Sequence, residues 1–297
     1  MPNRCHFVLF LVPRDALAHR QLARANDQRA LRSFSQILDI GGGLYMSANN
    51  KPEFWIVTGA ASGIGAAVVR AARESGATVL AVDVDEAKVS ALAEETGALY
   101  RLCDVGDLTQ WQQLVDYLEA AHADLGAPTR IHLNAGIQIA PPNAPLSEYQ
   151  LEAATLERYR RMMSVNVDGV VFGLQTLLPL LPPGAAIVAT ASLAGITPYA
   201  IDPLYAMSKH AVVGLVRSLA PDLARRGISI HALCPGAVDT EIIPHAQKTK
   251  DAQFMTPADL AKDVIELMAE TESGKSWVRL RTDKPRYVIR APGDKTG

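Results

Sequence analysis

Thr58-Gly59-Ala60-Ala61-Ser62-Gly63-Ile64-Gly65 follows the apolar run Phe54-Trp55-Ile56-Val57 and leads into Ala66-Ala67-Val68-Val69, which begins a helical pattern. Strand, glycine-rich turn and helix in that order form the first half of a βαβ unit. Such a turn presents backbone N–H groups at the positive end of the helix, where a pyrophosphate can approach with no Cβ in its way. Gly59, Ser62, Gly63, Ile64 and Gly65 are therefore candidate phosphate-side residues. The next apolar run ends at Asp83, where a carboxylate can accept hydrogen bonds from an adenosine ribose. The same carboxylate repels a 2′-phosphate, and Val84-Asp85-Glu86 brings no arginine to offset it, which favours NAD over NADP. Capping of the next helix is the alternative role for Asp83, with Asp85 competing for it.

Beyond this turn, short β-branched runs alternate with longer stretches of helical period. Strands are expected at 54–58, 78–83, 98–103, 130–133, 185–190, 228–233 and 277–280, and helices at 63–75, 86–95, 108–125, 151–181, 203–226 and 257–270. Near-continuous apolar strands such as 185–190 imply burial on both faces. The fold class is α/β: a Rossmann-type doubly wound parallel sheet of about seven strands flanked by helices, in a single domain over 51–281. Residues 282–297 read as a basic, proline-containing tail. Residues 1–50 differ in character, with Arg4, Arg14, Arg20, Arg24, Arg29 and Arg32 and the run Gly41-Gly42-Gly43. The favoured reading is a disordered extension or a misassigned start, with Met46 the true one; a transit peptide and a functional arm are the alternatives.

Composition narrows the function classes. The 29 basic and 31 acidic side chains leave no basic surplus for neutralising phosphates, so no nucleic-acid partner is expected. The most apolar region, 169–195, is broken by Gln175, Pro179, Pro182 and Pro183, and no membrane span is expected. Cys5, Cys103 and Cys234 lie far apart and the histidines are scattered, so neither a disulfide framework nor a metal site is expected, and the setting is cytoplasmic. His132 and His231 read as core residues, Cys234 as a packing residue, and His245 as a possible substrate contact.

The sharpest chemical signal is Tyr205-Ala206-Met207-Ser208-Lys209, which puts a phenol and an ammonium at i and i+4 on one helical face. A cation there is expected to lower a tyrosine pKa of about 10 by roughly 1 to 3 units, towards useful proton exchange at neutral pH. Ser192, just after the fifth strand, adds a hydroxyl for a carbonyl or alcohol oxygen.

These motifs, in this order, resemble the short-chain dehydrogenase/reductase family over residues 54 to about 280. The match comprises the T-G-x-x-x-G-I-G turn, Asn134-Ala135-Gly136, Asn166 within Ser164 to Gly169, then Ser192, Tyr205, Lys209, Pro235-Gly236 and Thr240. The resemblance implies a catalytic tetrad of Asn166, Ser192, Tyr205 and Lys209, with Asn166 fixing a water that links Lys209 to solvent. It implies that Asn134, Ala135 and Gly136 support the adenosine half and that Pro235, Gly236, Val238 and Thr240 cover the nicotinamide. Asp104, before Val105, reads as an adenine contact or a turn residue. Three departures stand out: Leu133 where the family usually repeats asparagine, a somewhat long stretch between Gly136 and Asn166, and the basic tail in place of a short apolar ending.

The expected function is an NAD-dependent oxidoreductase that interconverts a secondary alcohol and a ketone by hydride transfer. An NADP-dependent carbonyl reductase and a non-catalytic dinucleotide-binding regulator are the alternatives. The expected partners are a small-molecule alcohol or ketone and further copies of the chain, as a homodimer or homotetramer. Gln138, Leu193, Ile196, Tyr199, Ile242 and Ile243 are expected to wall the substrate pocket, and Thr240 to Phe254 to form a lid over it.

Overall fold

The computed structural model describes residues 53–290. Expectations about residues 1–50, the start at Met46 included, and about 291–297 lie outside the described residues. The strands are β1 (Phe54–Thr58), β2 (Thr78–Asp83), β3 (Leu99–Leu102), β4 (Arg130–Leu133), β5 (Ala186–Thr190), β6 (Ser229–Pro235), β7 (Ser276–Arg279) and β8 (Tyr287–Ile289). The helices are α1 (Gly63–Glu74), α2 (Glu86–Thr96), α3 (Leu108–Ala120), α4 (His122–Leu125), α5 (Leu156–Met163), α6 (Gly169–Leu177), α7 (Pro203–Arg225) and α8 (Pro257–Leu267).

Alternation along the strands builds two cores from one sheet. Phe54, Ile56, Leu80, Val82, Ile187 and Ala189 face the layer that contains α3, α6 and α7. Trp55, Val57, Val79, Ala81, Ala186 and Val188 face the layer that contains α1, α2 and α8. Side chains of a strand point alternately to opposite faces, so a strand apolar throughout needs helices on both sides. The strand order is β3-β2-β1-β4-β5-β6-β7-β8. The chain runs outward from β1 through β2 to β3, then returns to pair β4 with β1, Trp55 opposite Arg130. This reversal opens a crevice beyond the carboxyl ends of β1 and β4, where ligands bind in open α/β sheets.

Two of the expected helices are interrupted. The 108–125 stretch pauses at Ala121 between α3 and α4. The 151–181 stretch divides into a 3-10 turn at Leu151–Ala153, α5, a π turn at Ser164–Asp168, α6 and a 3-10 turn at Leu178–Leu180. The π turn carries fully buried Asn166, whose Nδ2 donates to the Ile137 carbonyl and whose Oδ1 accepts from the Ile137 amide, both at 2.8 Å. A π turn inserts one extra residue into a helix, and here it accompanies an inward-pointing polar side chain. The run Leu156–Leu180 is long and apolar enough by composition to cross a membrane. Its apolar residues Val165, Val170, Leu174 and Leu177 belong to the core.

The tail contributes β8, antiparallel to β7, which brings the sheet to eight strands. Arg286 at its entrance and Arg279 in β7 both pair with Asp263 Oδ1 of α8, at 3.4 and 3.5 Å, and Asp263 is 2% exposed. Burial holds the Asp263 carboxyl above its ordinary 3.8 despite both arginines. The Arg279 carbonyl in turn accepts from the Gly236 amide at 2.8 Å, so this edge supports the segment beyond β6. We expect Arg286→Leu to destabilise the fold by about 1.5–3 kcal/mol at neutral pH. A carboxyl with a raised folded pKa holds its proton more tightly folded than unfolded, so stability falls as pH rises through that value. The loss in the variant should therefore shrink as the pH is lowered. Chemical denaturation at two pH values measures this, and an unchanged midpoint at neutral pH would mean that the edge does not depend on the pair.

Candidate active site

A cavity of about 1160 Å³ runs from the glycine turn and Asp83 at one end to Ser192, Tyr205 and Lys209 at the other. At the first end Gly59 has φ +62°, and a Cβ there would stand 2.8 Å from Ala135 Cα. Ser62, Gly63 and Ile64 line the cavity. Gly65 does not line it, against expectation: it packs under the turn, where a Cβ would lie 2.0 Å from the Gly59 carbonyl oxygen. Ser62 enters α1 without a side-chain cap, and the first turn of α1 has no acidic residue, so no side chain competes with an anion there.

Asp83 Oδ2 accepts from the Ala61 amide at 2.9 Å, while Oδ1 accepts from Val84 and Asp85 at 2.7 and 3.0 Å. Its carboxylate is therefore fixed at the cavity edge beside the turn. The cap of α2 is Asp85, which accepts from the Lys88 amide at 3.1 Å, and this removes the capping role considered for Asp83. Asp104 and Val105 line the same end. Both oxygens of the Asp104 carboxylate are engaged by Arg161 Nη1 of α5, at 3.0 and 2.7 Å, and Oδ1 also accepts from the Gly106 amide at 3.0 Å. Arg161 also lines the cavity and is absent from the expected set, because an arginine in a polar helix carries no sequence signal of its distant partner.

A polar chain joins the two ends. Asn134 donates from its backbone amide to the Thr58 hydroxyl at 2.9 Å and from Nδ2 to the Gly59 carbonyl at 3.3 Å, and accepts at Oδ1 from the Thr190 hydroxyl at 3.1 Å. With its proton directed to Asn134, the Thr190 oxygen accepts from His132 Nε2 at 2.9 Å. Burial pushes His132 down to about 3, so this ring is neutral, protonated on Nε2, with Nδ1 unpartnered. The Thr190 carbonyl accepts from Lys209 Nζ at 2.9 Å.

Ser192 stands extended after β5, and its hydroxyl accepts from the Ala194 amide at 3.1 Å and hydrogen-bonds the Tyr205 phenol. Lys209 Nζ lies 5.6 Å from the Tyr205 ring centroid. The lowered phenol pKa expected of this pair is reversed: burial raises Tyr205 well above 10, and the Ser192 bond offsets only part of it. The same burial brings Lys209 down to about 8. Desolvation of two buried groups here outweighs their mutual effect. Asn166 lies behind the wall. A Cβ on Gly136 would stand 3.1 Å from Lys209 Nζ and 3.5 Å from Asn166 Oδ1, so the missing side chain leaves a gap between them.

Helix α7, which carries Tyr205 and Lys209, is anchored by a residue outside the expected set. Asp202, fully buried, accepts at Oδ1 from the Tyr205 amide at 2.8 Å and at Oδ2 from the Ile139 amide at 2.9 Å. An aspartate followed by Pro203 and a helical run is an N-terminal signal legible in the sequence. Ala135, Gly136, Pro235, Gly236, Val238 and Thr240 line the cavity. Of the expected pocket walls, Gln138, Leu193, Tyr199, Ile242 and Ile243 do so as well. Ile196 does not: it packs against the main core. Within the expected lid, Glu241 and Gln247 line the cavity, while His245 is exposed and outside its lining.

The description "short chain dehydrogenase" belongs to the family model that matches residues 53–251. The chain belongs to this family. A 2,5-dichloro-2,5-cyclohexadiene-1,4-diol dehydrogenase of Sphingobium indicum is 38% identical over 196 residues, 64% of this chain and 74% of the relative. Among solved structures, a blue fluorescent protein from a metagenomic library in complex with NADPH matches with a TM-score of 0.65 and 30% identity, over 76% of this chain and 95% of that one. A 3-ketoacyl-(acyl-carrier-protein) reductase from Brucella melitensis complexed with NADH matches with a TM-score of 0.66 and 26% identity, over 77% and 96%. The protein is thus an oxidoreductase of a family that acts on hydroxyl and carbonyl groups with nicotinamide dinucleotides.

The cavity fits such a dinucleotide: a glycine turn at an uncapped helix start, a carboxylate at the next strand end, and a gap beside Lys209. Two glycine substitutions test the fit. Gly65→Ala forces the turn to move, and we expect at least about tenfold weaker NADH binding, the equivalent of one charge-assisted hydrogen bond. Gly214→Ala, on an exposed face of α7 with nothing within 4 Å of its added Cβ, should keep affinity and raise stability by about 0.4–1 kcal/mol. Titration calorimetry and thermal melts measure both. Unchanged NADH affinity in Gly65→Ala would show that the turn tolerates displacement.

Proposed function

We propose that the protein is an NAD-dependent oxidoreductase that interconverts a secondary alcohol and a ketone. The observation that carries this reading is the convergence of Ser192, Tyr205 and Lys209 on one end of a cavity whose other end is bounded by the glycine turn and Asp83. When bound, the dinucleotide supplies or accepts the hydride at its nicotinamide ring. The chain provides orientation and the proton. Ser192 holds the substrate oxygen beside Tyr205, whose phenol gives its proton to the oxygen in reduction and takes it back in oxidation. Lys209 holds the ribose, and Asn166 fixes a water that connects Lys209 to solvent. Asn134, Ala135 and Gly136 support the adenosine half, and Pro235, Gly236, Val238 and Thr240 cover the nicotinamide. Assembly as a homodimer or homotetramer belongs to the same reading.

The choice of NAD rests on Asp83, whose fixed carboxylate opposes a 2′-phosphate. The NADPH-bound neighbour keeps an NADP-dependent carbonyl reductase as the second reading. Turnover of a panel of alcohols and ketones with each cofactor, followed by the absorbance of the reduced nicotinamide, decides between them. Higher catalytic efficiency with NAD(H) is expected, and Asp83→Ala should narrow the preference. Equal efficiency in the unaltered protein would remove Asp83 from cofactor selection.

Tyr205→Phe should lower turnover by about 10²-fold to 10⁴-fold, as loss of a general acid–base group does, while cofactor affinity stays nearly intact. Because burial raises the Tyr205 phenol, oxidation should accelerate with rising pH and reduction should be favoured on the acid side. A Tyr205→Phe variant that keeps more than half the rate at saturating cofactor would exclude this proton path.

A further inference from the structure

Tyr199 stands edge-on to Tyr205, with ring centroids 6.1 Å apart and planes at 65°. Its oxygen accepts from Gln247 Nε2 at 3.0 Å. The Gln138 amide interacts with the same phenol, in the sense that favours the phenolate. That amide cannot turn over freely, because its Nε2 also donates to the Ile242 carbonyl at 3.1 Å, and reversal would set two acceptors against each other.

A phenol has two lone pairs and one proton. The Gln247 amide donates to the Tyr199 oxygen, and among the described residues no acceptor takes the phenol's proton; Gln138 Oε1, beside it, is itself without a partner. Burial raises this phenol above its ordinary 10, so the proton stays on at neutral pH. Leu193, Ile242 and Ile243 make the neighbouring wall apolar. A donor in apolar surroundings is costly unless something accepts from it. Tyr199 is half-buried at the cavity, and a molecule that displaces solvent beside Tyr205 is the group placed to accept from it.

We propose that Tyr199 is a specificity-determining residue that donates a hydrogen bond to a second oxygen of the substrate, so that hydroxyketones, diketones and diols are preferred over simple ketones and alcohols. Gln247, in the segment beyond β6, donates to the phenol oxygen and so leaves the phenol's proton for the substrate. The inference rests on the reading of Tyr205 as the proton-transfer residue and adds a recognition element to the same site.

The test uses the full chain with cyclohexanone and its 2-, 3- and 4-hydroxy derivatives, reduced with NADH or NADPH. At least one hydroxy derivative should exceed cyclohexanone in kcat/KM by about tenfold, the equivalent of about 1.4 kcal/mol. Tyr199→Phe keeps the ring and its edge contact, and should bring that ratio close to one, with the loss carried mainly by KM. A ratio near one in the unaltered protein overturns the proposal and leaves the oxidoreductase reading standing. So does a Tyr199→Phe variant in which all four ketones lose efficiency by the same factor, since Tyr199 would then act only through Tyr205. No turnover of any of the four with either cofactor counts against both readings.

Discussion

Thr190 is the residue on which both ends of the site depend. Its hydroxyl donates to Asn134, which holds the Gly59 carbonyl, and its own carbonyl takes Lys209. These bonds occur where β4 and β5 end side by side, Leu133 opposite Ala189, at the carboxyl edge of the sheet. The sheet register therefore sets the spacing between the glycine turn and the lysine. Side chains placed on rigid strand ends vary less in position than side chains on loops. His132, buried and neutral, completes the arrangement by donating to the same hydroxyl, so that Thr190 has no other orientation available.

A second frame fixes the tyrosine. Asp202 joins the Tyr205 amide to the Ile139 amide, and Asn166 holds both backbone groups of Ile137 together with the Ser208 hydroxyl at 3.0 Å. Two buried polar side chains thus bind the segment after β4 to α7, the helix that carries Tyr205 and Lys209. Neither leaves a buried side-chain polar atom without a partner. The π turn at Asn166 belongs to the same solution, since it lets one polar residue point inward from an otherwise apolar helix.

Much of this was legible in the sequence, for identifiable reasons. Strands β1, β2 and β4 were readable to the residue, because apolar runs are punctuated there by a glycine turn, an aspartate and an asparagine. A local motif brought Ser192, Tyr205 and Lys209 together as candidates: Ser192 lies just after β5, Tyr205 in the first turn of α7, and Lys209 one turn further on the same face. What escaped reading depends on partners far away in the chain. Three residues of β8 follow a charged, proline-containing stretch, and only pairing with β7 makes them a strand. The π turn at Ser164–Asp168 contains neither glycine nor proline to mark a break in the helical stretch. Ile196 is as apolar as its neighbours, and its direction is set by the 3-10 turn that precedes it. Asp202 was within reach, since aspartate before Pro203 at a helix start is a local signal.

The protonation states follow from burial rather than from the pairing of charges. An ammonium near a phenol in water would favour the phenolate, but Tyr205 and Lys209 are both nearly removed from solvent, at 8% and 2% exposure. Desolvation penalises each charged form, raising the phenol and lowering the lysine to about 8. The resting site at neutral pH therefore holds a protonated Tyr205 hydrogen-bonded to Ser192, a state ready to give a proton rather than to take one. In the proposed oxidation the phenol must first lose that proton, and the groups beside it are Ser192, which bonds the phenol, and Lys209, which burial lowers to about 8. On that proposal, the balance between the two directions depends on how dry the surroundings keep Tyr205.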